Sequence, residues 1–146
     1  MGTPEKKGKK VIFISDGKID GVIDDVLACG ADGFFAESYT DLESLSQRYG
    51  QEKVIVGNID GRILEEGTEE DIRKEVERCT RLGKDCPGYF YCVSNHLTHT
   101  IPTEKNLLLL LRLRRIRKTM KYPSSLRDAK VLGDRKLFLG FHRPVG

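Results

Sequence analysis

Val54-Ile55-Val56, followed at once by Gly57-Asn58-Ile59-Asp60, is the stretch on which the reading of this chain turns. A short apolar run gives way to a cluster of small and polar side chains, the pattern of a strand that delivers polar groups at its carboxyl end. The same beat occurs three more times. Val11-Ile12-Phe13-Ile14 precedes Ser15-Asp16-Gly17, Gly33-Phe34-Phe35-Ala36 precedes Glu37-Ser38, and Tyr89-Phe90-Tyr91-Cys92-Val93 precedes Ser94-Asn95-His96. Charged segments with helical spacing separate the runs. Apolar strands alternating with amphipathic helices describe βα units and a parallel sheet. In such sheets the chemistry sits at the carboxyl ends of the strands.

Strands are expected near residues 10–15, 32–36, 53–57 and 88–93. Ile19, Val22, Ile23, Val26 and Leu27 recur at helical intervals and predict a helix over 19–29, stopped by Gly30. Thr40-Asp41-Leu42-Glu43 has the form of a capping box and opens a helix ending near Tyr49-Gly50. Residues 60–66 read as a short helical turn. Thr68 and Asp71 cap a helix over 69–82 whose buried stripe is Ile72, Val76, Cys79 and Leu82. Pro102-Thr103-Glu104 opens a last helix over 103–121.

With 146 residues the chain has room for one domain with a real core. An eight-fold βα barrel typically needs about 250 residues. A hydrophobic fraction of 38% and a charged fraction of 32% suit a globular protein. Residues 1–9 read as a flexible basic lead-in without the apolar core of a signal peptide. No apolar run approaches the roughly 20 residues of a membrane span, so no membrane contact is expected. Cys29, Cys79, Cys86 and Cys92 form no close pair and read as reduced thiols of a cytoplasmic protein. Residues 105–146 carry 12 of the 25 Lys and Arg but 2 of the 22 Asp and Glu, leaving 13 and 20 for residues 1–104. The chain thus divides into the lead-in, an acidic βα body over 10–104, and a basic helix and irregular tail over 105–146. The tail carries no nucleic-acid motif and few interleaved aromatics, so it reads as an extension rather than a nucleic-acid arm.

The strand ends supply the candidate site. Asp16 can act as general base, as a metal ligand or as acceptor for a substrate donor, or it can cap the helix that follows. Glu37 can face the same crevice or solvent. Asn58 and Asp60 follow the third strand, and Asp60 can equally be a helix N-cap. Ser94-Asn95-His96 is the richest cluster. His96 can protonate a carbon, bind a carboxylate or serve as a structural hydrogen-bonding group. The reading assigns Asp16 and His96 to catalysis and Glu37, Asn58, Asp60, Ser94 and Asn95 to substrate binding. Asp16, Glu37, Cys92 and His96 are the only metal ligands it suggests, and weak ones. His99 and His142 read as bystanders.

Taken in order, ISDGKI (14–19), GADGF (30–34), YG (49–50), VGNID (56–60), LEEGTEEDIRKEVER (64–78) and GYFYCVSNHLTHTIPTE (88–104) resemble the carboxyl-terminal half of the uroporphyrinogen decarboxylase superfamily. That superfamily also holds the corrinoid- and coenzyme M-linked methyltransferases. The resemblance covers roughly residues 10–105 and is strongest to members whose last strand ends in Ser-Asn-His. It implies an α/β fold in which parallel βα units form half of a TIM-like (β/α)8 barrel, strands five to eight. It implies a family of lyases that decarboxylate tetrapyrrole carboxylate side chains, as in porphyrin biosynthesis, or of methyltransferases that use zinc and a methylated corrinoid. Substrate-binding arginines and a catalytic aspartate belong to the family's first half. The histidine after the last strand of the decarboxylases falls on Asn95, with His96 next to it. The zinc ligands of the methyltransferases fall on Ile14, Asp16 and Asn95, so the thiolate-rich site is lost and the decarboxylase label is preferred.

Half a barrel leaves an open sheet edge and an uncovered inner face. The expected partner is a second copy or a separate amino-terminal half. The alternative to an enzyme fragment inactive by itself is a non-catalytic half-barrel assembly module.

Overall fold

The computed structural model describes residues 9–94 and 97–119. The elements run β1 (Ile12–Phe13), α1 (Ile23–Ala28), β2 (Gly33–Ala36), α2 (Leu42–Tyr49), β3 (Val54–Gly57), α3 (Gly61–Glu66), α4 (Glu69–Gly83), β4 (Tyr89–Phe90) and α5 (Thr103–Thr119). The four strands form one parallel sheet in the order β1-β2-β3-β4. Spatial order equals chain order. Crossovers between parallel strands share one hand, so a strand order that never reverses puts every helix on the same side. A doubly wound sheet reverses and is covered on both sides.

The register identifies the covered side. Phe13, Phe34, Ile55 and Tyr89 stand in one row across the sheet. Ile23 and Leu27 of α1 and Leu42 and Leu45 of α2 pack with Phe34, Ala36 and Ile55. Leu64 of α3, Ile72, Val76 and Cys79 of α4, and Leu109 and Leu113 of α5 pack with Ile59 and Val93. Tyr89 touches both groups and joins them. Alternation along the strands points Ile12, Phe35, Val54, Val56 and Phe90 to the other side. No described helix packs there. Phe35 on that side is buried, Ile12, Val54, Val56 and Phe90 are half-buried, and Ile14, just past β1, is 69% exposed.

Two edge strands are shorter than the sequence predicts. β1 has one neighbour, and the Val11 amide donates to the Asp32 side chain at 2.8 Å instead of to a strand. Beyond Phe90 the ladder to β3 breaks and resumes as a single bridge between Ile59 and Val93, because β3 turns at Gly57, where φ is +140°. A side chain there would place its Cβ 2.4 Å from the Ala36 carbonyl oxygen, so only glycine fits. The helix expected over 19–29 begins at Ile23, after a turn in which the Val22 and Ile23 amides both donate to the Ile19 carbonyl. The α2 cap is Asp41, whose side chain accepts from the Ser44 amide; Thr40 lies one residue outside, its hydroxyl buried. The Thr68–Asp71 capping box of α4 forms as predicted.

Candidate functional site

The parallel sheet brings all four strand ends to one rim, and hydrogen bonds tie the loops there together. The Gly17 amide, after β1, donates to the Tyr39 hydroxyl, after β2, at 3.2 Å. The Asp41 amide donates to Asp20 at 3.0 Å. The Ser94 amide donates to the Ile59 carbonyl at 2.7 Å, holding the end of the fourth unit against the third. Asp16 stands exposed three residues beyond β1. Glu37, Thr40 and Ser94 are buried. Among the described residues the hydroxyls of Ser38, Thr40 and Ser94 find no hydrogen-bond partner. A buried hydroxyl without a partner carries a desolvation cost, so these three groups mark the rim as a place able to receive a polar ligand.

Asn58 occupies the centre of the rim but not its mouth. Alternation from Val56 aims it toward the bare side of the sheet. The turn at Gly57 rotates it inward instead, fully buried. Its Nδ2 donates to the carbonyls of Glu37 at 3.0 Å and Thr40 at 3.3 Å. Its Oδ1 accepts from Arg78 of α4 at 2.9 Å. Arg78 also donates to the Asn58 carbonyl at 3.0 Å and is paired with Glu75. The Asn58 amide is therefore fully engaged in positioning the β2 loop, and the structure gives it a role inside the fold.

Asp60 is likewise engaged. Its carboxylate caps α3 through the Arg62 amide at 3.0 Å and pairs with the Arg62 guanidinium at 2.8 Å. The Arg62 side chain, foremost, holds the Asp60 carboxyl below its ordinary range against the opposing effect of burial. Asp24, Asp32, Glu70 and Asp71 are depressed in the same way by their hydrogen-bonding partners. A depressed carboxylate contributes stability above its unfolded pKa and loses it as pH falls through the folded value. Stability should therefore hold above about pH 4 and decline in more acid solution. Urea unfolding between about pH 2 and 6 checks this, with Asp60→Asn expected to flatten the decline. An unchanged slope in that variant would contradict the assignment.

Cys92 follows Phe90 on the bare side. Burial first, and then the field of the Glu37 carboxylate, push its thiol above the usual range. Without a bound cation, that shift favours the neutral thiol. Among the described residues no group of three His, Cys, Asp or Glu could hold a metal ion. The position expected to supply a zinc ligand is Ile14, an aliphatic side chain. These residues do not fit the methyltransferase zinc site. Asn95 and His96 lie outside the described residues. All four cysteines are free thiols, and among the described residues no helix is long and apolar enough to cross a membrane.

Sequence reasoning missed the tether from α4. Its signal was present: Glu75 falls beside Ile72, Val76 and Cys79 on the buried stripe and is 7% exposed. An acid on a buried face requires a partner, here Arg78 and the Asp60 amide at 2.9 Å. Thr40, read as a helix cap, turns out to be part of the rim.

No curated protein matches the chain. The family model for uroporphyrinogen decarboxylase (URO-D) matches residues 2–114, which include all four βα units and most of α5. The sequential parallel sheet, the helices on one side and the ordered motifs at the strand ends all agree with that match, and the chain belongs to the uroporphyrinogen decarboxylase family.

Proposed function

We propose that the chain forms strands five to eight of a (β/α)8 barrel and supplies one wall of a cleft that binds a tetrapyrrole and decarboxylates its carboxylate side chains once the barrel is closed. The observation that carries this reading is the unreversed strand order, which gathers the polar strand ends on a single rim and leaves one apolar face for an interior. Asp16 and Glu37 offer carboxylates that accept the pyrrole N–H donors. The Thr40 and Ser94 hydroxyls suit the substrate's own carboxylates. Loss of carbon dioxide leaves an electron pair on the side-chain carbon, delocalised into the protonated pyrrole, and a proton must then reach that carbon. His96, with Asn95 beside it, is the proposed donor, and Asp16 holds the ring charge. Asn58 and Asp60 act through the backbone they position. The corrinoid methyltransferase alternative is weakened because Ile14 cannot ligate zinc. A cytoplasmic setting accords with the free thiols.

Fluorescence titration with uroporphyrin, on the chain mixed with a half-barrel of strands one to four from a family enzyme, tests the reading. Saturable binding is expected, weakened about tenfold by Asp16→Ala, the loss of one charge-assisted hydrogen bond. Turnover of uroporphyrinogen, followed by chromatography of the porphyrins, is expected only when a half-barrel of strands one to four from a family enzyme is added. No saturable binding, or binding indifferent to Asp16→Ala, would overturn it.

A further inference from the structure

We propose that a second copy of this chain closes the open sheet, the α1 of each copy docking beside the α5 of the other. The inference rests on the half-barrel reading above. Its ground is what the two ends of the strand order present. At the β1 end, Asp24 of α1 faces α2 and is bonded to Arg48 and Tyr49. The opposite stripe of that helix and its flanking turns is Val22, 49% exposed, with Asp25 and Cys29, also exposed. These positions are three and four apart and so share one face. At the β4 end, α5 turns Leu109 and Leu113 inward to α4. Its other stripe is Leu107, 55% exposed, Leu111, 53% exposed, and Arg114, again spaced three and four apart. One end of the molecule thus offers an apolar stripe with a carboxylate. The other offers an apolar stripe with a guanidinium.

In a sheet of sequential crossovers each helix lies over the groove toward the next strand, so the neighbour of α5 around the ring is the first helix of whatever follows β4. A second copy puts its α1 there. Val22 then meets the exposed leucines, and the Asp25 carboxylate comes within the field of Arg114. A twofold axis repeats the contact at the other seam, because each copy carries both halves of it. The charge balance points the same way: residues 1–104 carry 13 basic and 20 acidic groups, while residues 105–119 carry six basic groups and no acid. Twice four strands also make the eight-stranded ring whose interior side chains alone can fill it. Ile12, Val56 and Phe90, half-buried in the single chain, are the side chains that the second copy would cover.

Light scattering on the chromatographed full chain tests the proposal. The expected mass is twice the 16.5 kDa of one chain. Asp25→Lys sets like charges at both seams and is expected to weaken the pair roughly 100-fold. Adding Arg114→Glu to Asp25→Lys is expected to restore it. Both positions are exposed, so circular dichroism of the variants should match the parent. A one-chain mass at every concentration, a two-chain mass that Asp25→Lys leaves unchanged, or aggregates in place of a discrete species would overturn it. A one-chain species that binds uroporphyrin and takes up a strands-one-to-four half would sink the second copy and spare the proposed function. A two-chain species that binds no porphyrin would do the reverse.

Discussion

Phe34→Ala is expected to destabilise the fold by about 3–5 kcal/mol, the largest effect of any single truncation. Phe34 is fully buried in the middle of β2. It packs with residues of α1, α2 and β3, and Tyr49 meets its ring edge-on at 6.5 Å. Removing the ring leaves a cavity between a sheet and two helices, none of which can collapse without losing its register. Domains are held by only about 5–15 kcal/mol in total, so this loss consumes a large share. Urea unfolding followed by circular dichroism measures it. A loss under about 1.5 kcal/mol, the range of a well-tolerated core swap, would show that the first hydrophobic cluster is not the centre of the fold.

Asn58→Ala is expected to cost about 3 kcal/mol from three side-chain hydrogen bonds and a small cavity. A drop of roughly 10 °C in the unfolding temperature corresponds to that loss. The carbonyls of Glu37 and Thr40 retain other donors, since both accept backbone amides, which keeps the figure from rising further. The functional effect is separate. With the tether gone, the loop after β2 no longer has a fixed distance from α4, and the rim that holds Glu37 and Thr40 loosens. Asn58→Asp keeps the shape but removes the donor and sets an acid oxygen against two carbonyls, so it should fail in the same way. Scanning calorimetry on both variants, with limited proteolysis of residues 37–41, checks this. A shift under about 2 °C would mean that the amide is not the tether.

The order of elements was legible because each strand is a short apolar run and the helices between them carry apolar stripes, α2, α3 and α4 with side-chain caps as well. Thr68 and Asp71 announce α4, and the structure forms that box without change. The parallel arrangement followed from alternation alone. The lengths of β1 and β4 were not legible, since edge strands hold only as many residues as a single neighbour can pair, and that depends on where β3 turns. The turn itself rests on Gly57, whose positive φ no residue pattern states. It also decides the site: the turn there sends Asn58 into the fold while Glu37 stays at the rim. Asp60 carried both readings in the sequence, and Arg62 two residues later selects the cap. The α4 tether was passed over because Glu75 and Arg78 look like one more pair on a charged helix unless Glu75 is set on the stripe of Ile72, Val76 and Cys79.

The unreversed strand order has a consequence for how such a protein changes over generations. Each βα unit meets chiefly the one before it and the one after it, so a unit added or removed at either end disturbs a single seam and leaves the others intact. Genetic exchange at a unit boundary therefore cuts few contacts, and the rim a piece carries keeps its own geometry when it meets a different remainder.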